Sequence, residues 1–166
     1  MDSYRQDLTK VVTRALSGKS AHIQPKGVFA GLDWKAAGTR TAPVTHSVFQ
    51  LLNHMVFWQE WVISWLDGMR AASTSASWRG PDAPASRAEW EQSVARFRSG
   101  LQALARCARE GDLLSKRGRT SRLEMLQTAV AHNSYHAGQV VTLRQLLGRW
   151  PPRSSAHSGV NGRGDR

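Results

Sequence analysis

The sequence is poor in cysteine, in acidic residues and in long apolar runs, and each shortage narrows the field. Its one cysteine, Cys107, cannot form an internal disulfide, which excludes a stapled fold and favours a reducing compartment. No apolar run approaches the roughly 20 residues that a membrane-spanning helix needs. The opening Met-Asp-Ser-Tyr-Arg-Gln-Asp is polar and mixed in charge, without the apolar centre of a secretory signal. A cytoplasmic protein is expected. Period-two alternation is missing too, which argues against a sheet. Asp and Glu number only 12 together, and none falls on an expected core stripe, which argues against a carboxylate-rich di-iron site. Standard nucleophile and phosphate-loop motifs are absent.

What is present is enough for one domain with its own core: 166 residues, 40% of them apolar and 21% charged. The formal charge of +11 is the unusual bulk property. A basic balance can steer a chain to nucleic acid or acidic membranes. Here the arginines are scattered, with two denser groups in places expected to be flexible. One is Lys116, Arg117, Arg119 and Arg122, between two expected helices. The other is the tail from Arg149 to Arg166. Neither is interleaved with the aromatic residues that a single-strand stacking surface requires, so nucleic acid is the less favoured partner.

Four segments carry helical periodicity. The first covers about residues 4–16, with Tyr4, Leu8, Val11, Val12 and Ala15 on one side and Gly18 as a stop. Residues 19–43 are too many for an idle connection, so they are expected to pack over the bundle through Val28, Phe29, Leu32 and Trp34, with a short helical turn. The second helix is expected over about 45–66, with a stripe of Leu51, His54, Phe57, Trp58, Trp61 and Trp65. A Ser/Ala/Gly/Pro-rich linker follows at 71–85. The third opens with the capping box Ser86-Arg-Ala-Glu89 and buries Trp90, Val94, Phe97, Leu101, Leu104 and Ala108. The fourth opens with Ser121-Arg-Leu-Glu124 and runs to about Leu147, where Gly148 and Pro151-Pro152 end it. The expectation is an all-α four-helix bundle over residues 1–150, with a long first connection and a flexible, disordered basic tail over 151–166.

The fourth helix holds His132 and His136 in the stripe Met125, Ala129, His132, His136, Val140, Leu143 and Leu147. Four residues apart on a helix, two imidazoles stand one turn above each other and can reach one cation. Burying them costs free energy unless each ring nitrogen finds a partner. Alone, the pair admits two readings: core histidines bonded to carbonyls or water, or metal ligands. His54, on the stripe of a facing helix, favours the second, because bundle metal sites draw side chains from facing helices. Three histidines leave coordination positions open for water or substrate.

Leu51-Leu-Asn-His-Met-Val-Phe-Trp58, taken with His-x-x-x-His-x-Gly-Gln from His132 to Gln139, resembles the DinB/YfiT-like superfamily. The similarity runs over about residues 4–148 and includes the long first connection and His46-Ser47. The resemblance implies a four-helix bundle with His54, His132 and His136 binding zinc, nickel or a similar divalent ion, with iron or manganese as alternatives. It also implies a small-molecule substrate and a low-molecular-weight thiol, as in S-transferases and a maleylpyruvate isomerase among relatives, several of which are homodimers. Ala137 stands where relatives often carry arginine, so no role of that residue transfers.

Other candidates are subordinate. His46 reads as a helix-start residue, a group behind the ligands, or a substitute ligand. Gln139 could orient a ligand or substrate, or simply pack. Trp58 and Trp61 supply core bulk and could line a pocket. Asn53 and Asn133 are expected to face away from the site, His22 and His157 to be solvated, and Cys107 to be an inert thiol. Three functions follow: a metal-dependent enzyme, a thiol S-transferase or a hydrolase; a non-catalytic stress-response or binding bundle; and a nucleic-acid-associated protein.

Overall fold

The computed structural model describes residues 2–19, 23–70 and 72–152. Four long helices make the bundle: α1 (Asp2–Leu16), α3 (Val48–Leu66), α4 (Arg87–Glu110) and α5 (Arg122–Leu146). A single helical turn, α2 (Trp34–Ala37), lies in the first connection. A two-stranded hairpin, β1 (Lys116–Arg117) and β2 (Thr120–Ser121), joins α4 to α5. The all-α bundle expected from periodicity is borne out. The tail expected to be disordered, beyond Pro152, lies outside the described residues, as do His157 and His22.

Capping sets the helix starts. At Ser47 the hydroxyl accepts from the Gln50 amide while the Gln50 side chain accepts from the Ser47 amide, so α3 begins three residues later than expected. Ser121 and Glu124 do the same for α5. At α4 the box is not reciprocal: Ser86 accepts from the Glu89 amide, but the Glu89 carboxylate takes the amide of Ala85 instead.

Contacts along the helices define an up-down-down-up order. Arg5 pairs with Asp112, and the Thr9 hydroxyl donates to the Ala108 carbonyl, so α1 and α4 run antiparallel. Phe49 lies against Trp90 and Glu60 pairs with Arg96, so α3 and α4 run parallel. The start of α5 meets the end of α3, where Arg122 donates to the Leu66 carbonyl. A parallel α3–α4 pair obliges the chain to travel back along the bundle after α3. Because α3 has 19 residues, that return is about 28 Å. This is why the 71–85 linker is long, and its path takes it across the histidines.

The core falls into two parts. One holds Val28, Phe29, Phe49, Leu52, Met55, Trp90, Phe97 and Val140, including the first connection as expected. The other holds Val12, Leu16, Val62, Leu66, Leu104, Leu126 and Ala129. Between them stand Gln59 on α3, Gly100 on α4 and Asn133 on α5. Gln59 fits only because Gly100 has no side chain: a Cβ there would lie 2.1 Å from Gln59 Oε1. Both polar atoms of Gln59 and of Asn133 are buried without a hydrogen-bond partner among the described residues.

Several expected faces are rotated. On α1 the buried seam is Leu8, Val12 and Leu16, whereas Val11 is 64% exposed and Tyr4 also points outward. On α3 the buried seam is Leu51, Leu52, Met55, Val56, Gln59, Val62 and Leu66; Phe57, Trp58, Trp61 and Trp65 are half-buried at its flank. On α4 Leu101 is half-buried. On α5 Asn133 is buried in the bundle, and Arg144 is 1% exposed, donating to the carbonyls of Val28 and Arg149.

The first basic group is also not a loose surface cluster. Arg117 donates to the carbonyls of Trp65 and Met69, and Arg122 to that of Leu66. Cations at the carboxyl end of α3 satisfy carbonyls that the helix cannot.

Candidate metal centre

α3 and α5 bring His54, His132 and His136 together. Their ring centroids are 5.0 Å (54–132), 4.8 Å (54–136) and 4.4 Å (132–136) apart. One nitrogen from each ring lies within 4.8 Å of the others. Among the described residues this is the one grouping of three or more His, Cys, Asp or Glu arranged to hold an ion. His54 and His136 are buried and His132 half-buried.

Two rings are fixed by hydrogen bonds at Nδ1. His54 Nδ1 is 2.9 Å from the Ser77 carbonyl, which only accepts, so Nδ1 carries the proton and Nε2 the lone pair. His136 Nδ1 donates to Gln139 Oε1 at 2.6 Å, leaving its Nε2 as the lone-pair atom, while Gln139 Nε2 donates to the Tyr135 hydroxyl. His132 Nε2 lies 3.1 Å from His54 Nε2. Without a cation, His132 must supply the proton shared between them.

Burial is the main cause of low proton affinity in all three. It pushes His54 down to about 4, with the Ser77 bond opposing it and repulsion from His136 and His46 adding to it. His132 falls to about 3, through burial and then repulsion from His136 and His54. His136 is lowered by burial, against the opposing bond to Gln139. All three are therefore neutral at pH 7, the state in which imidazole binds metal.

The donor set fits a divalent ion of borderline softness. The 3.1 Å Nε2–Nε2 spacing of His54 and His132 is close to the roughly 3.3 Å that bonds of about 2.0–2.1 Å at a tetrahedral angle produce. Carbonyl and carboxamide partners on the second nitrogen of two rings are the usual supports of metal-bound histidine.

The other sequence candidates fall into place around this cluster. His46, immediately before the Ser47 cap, stacks on Trp78 at 4.1 Å, and its Nδ1 is buried without a hydrogen-bond partner among the described residues. It stands among neither the three converging rings nor their hydrogen-bond partners. Trp58 lies 5.6 Å from His132 and 6.4 Å from His54. Trp61 touches Trp58 and donates to the Ala72 carbonyl, one step removed from the histidines. Asn53 lines one groove that none of the three histidines touches and a smaller one that it shares with His54, Ser77 and Trp78. Cys107 is half-buried away from the cluster, and burial raises its thiol pKa.

Sequence reasoning missed Ser77 and Trp78. The crossing linker lays Trp78 flat on His54, 3.6 Å between centroids and 13° between planes, and presents the Ser77 carbonyl to the same ring. Asp82 pins that linker: its carboxylate accepts from Gln50 and pairs with Arg40, and its carbonyl accepts from the Ser47 hydroxyl. A tryptophan inside a Ser/Ala/Gly-rich stretch was the one available signal.

The fold and the cluster together define a four-helix bundle with a three-histidine constellation between two facing helices. The DinB superfamily model matches residues 5–140, and the chain belongs to that superfamily. No curated protein and no solved structure matches it.

Proposed function

We propose that His54, His132 and His136 hold one divalent metal ion, zinc or nickel foremost, and that the chain is a metal-dependent enzyme. Its substrate would be a small molecule, with a low-molecular-weight thiol as cosubstrate. The observation that carries this reading is the convergence of three neutral imidazoles, two of them with Nδ1 already occupied by a fixed acceptor. The choice of a thiol rests on the family resemblance alone.

Bound there, a divalent cation would supply an open coordination position at which a thiol or water is favoured in its deprotonated form. The chain's own residues do the rest. Ser77 and Gln139 hold two rings in one tautomer, so their Nε2 lone pairs need no reorganisation to bind. Low proton affinity keeps acid from competing at neutral pH. Trp58 and Trp78 pack against His54 and shield that side of the cluster from water, which strengthens charge interactions there. Among the described residues no carboxylate joins the three histidines, so a divalent centre would keep its full positive charge and favour an anionic nucleophile.

The test is turnover of an electrophile panel by metal-loaded protein, with and without thiols. Thiol-dependent turnover that disappears in His136→Ala supports the proposal. A metal-loaded protein inert toward the whole panel contradicts its enzymatic part.

A further inference from the structure

We propose that the groove beside the histidine cluster takes an uncharged aromatic molecule bearing a hydrogen-bond acceptor such as a carbonyl, and that its side chains, without a bound cation, discriminate against anions. This rests on the reading of the cluster as the reactive centre and names the class of molecule presented to it.

The groove has a volume of about 620 Å³, and its walls include His46, Leu51, Trp78, Tyr135, His136 and Leu143. That size suits a small organic molecule rather than an ion. Because His136 is both a wall and a member of the cluster, the groove opens directly onto the candidate centre.

The groove's charge is its most telling property. The chain carries 23 Lys and Arg, yet among the described residues no Lys, Arg, Asp or Glu lines this groove. In the metal-free chain a carboxylate or phosphate entering it would lose water and gain no counter-charge from any lining side chain, at substantial cost. The walls combine aromatic and aliphatic side chains with the uncharged polar Thr45, Gln139 and Thr142. Trp78 is held in place by stacking on His46 and His54, and Tyr135 is 65% exposed beside the buried Leu51 and Leu143. Flat apolar walls select flat apolar ligands.

One polar group is oriented. Gln139 donates to the Tyr135 oxygen, so the hydroxyl proton of Tyr135 is free to point outward, and the same Gln139 accepts from His136. A ligand acceptor bonded to Tyr135 is thereby tied through Gln139 to a ring of the cluster. That arrangement asks for an acceptor on the ligand.

The experiment is calorimetric titration of the full chain, metal-free and metal-loaded, in high salt to screen the net charge. The probes are 2-acetylnaphthalene, 2-naphthoate and 2-methylnaphthalene. In the metal-free chain the ketone should bind at least about tenfold more tightly than the carboxylate. Tyr135→Phe should weaken the ketone by about five- to tenfold and leave the hydrocarbon unchanged. Thr142→Trp, a change at an exposed wall position, should abolish binding of both. Carboxylate binding equal to the ketone's in the metal-free chain overturns the proposal, as do equal losses for ketone and hydrocarbon in Tyr135→Phe. So does undiminished binding in Thr142→Trp, or a groove filled by a second copy of the chain, seen as a dimer that Thr142→Trp dissociates. Metal uptake without ketone binding defeats this inference alone. Ketone binding without metal uptake defeats the metal reading and leaves the groove assignment standing.

Discussion

The two parts of the core divide the work of the molecule. The part around Val62, Leu66, Leu104 and Leu126 is aliphatic, closed by Arg117 and Arg122 on the end of α3, and carries no site. The part around Phe29, Phe49, Trp90 and Phe97 is aromatic, is sealed by the first connection, and borders the histidines through Leu51, Met55, Ala137 and Val140. Gln59, Gly100 and Asn133 mark the boundary. One half supplies stability from helix pattern alone. The other accepts three imidazoles and compensates with loops that fix their ring nitrogens.

Truncations on either side should separate those roles with the largest effects. Phe97→Ala should cost about 3–5 kcal/mol and Leu104→Ala about 2–5 kcal/mol, read by urea unfolding. Leu104→Ala should leave metal affinity of the folded protein unchanged; a tenfold loss there would erase the distinction between the halves.

Acid should act on the site half first. In the metal-free protein the unfolded chain takes up protons near 6.5, while folded His54 and His132 resist until about 4 and 3. Between those values the unfolded state binds more protons, so stability is complete above about 6.5 and falls as the pH drops through the window. The triple His→Ala variant should lose most of that slope in melts from pH 7 to 4. An unchanged slope would place the sensitivity elsewhere.

A smaller effect tests how the loops and neighbours hold the rings. Gln139→Leu should weaken metal binding by about 10–100-fold with little change in unfolding midpoint. Equal affinity in the variant would make the 2.6 Å contact to His136 incidental. Smallest is the boundary itself. Gln59→Met removes two buried, unpartnered polar atoms and should stabilise the chain by about 1 kcal/mol. Destabilisation would mean that water satisfies the amide.

Much of this was legible beforehand. Ser86, Ser121 and the four-and-three spacing from Trp90 to Ala108 specify where helices start and which way they face, because capping and amphipathicity are local. His54, His132 and His136 were found by the same logic: each interrupts an apolar stripe. What escaped is non-local. The parallel α3–α4 pair and its crossing linker follow from no local signal, so Ser77 and Trp78 read as spacer. Val11 and Tyr4 were assigned inward because a short amphipathic helix tolerates a rotated stripe. The burial of Asn133 and Arg144 has no local signal either, because burial of a polar side chain depends on what it meets across the bundle. Arg144 meets two carbonyls.

The central claim is that three rings on two antiparallel helices share one cation. Elemental analysis of protein purified without a histidine tag, beside the His54→Ala/His132→Ala/His136→Ala variant, tests it most directly. The account predicts close to one equivalent of zinc or nickel in the native chain and none in a variant that remains helical. A metal-free native chain that takes up neither ion on titration, or a variant that keeps its metal, would contradict it.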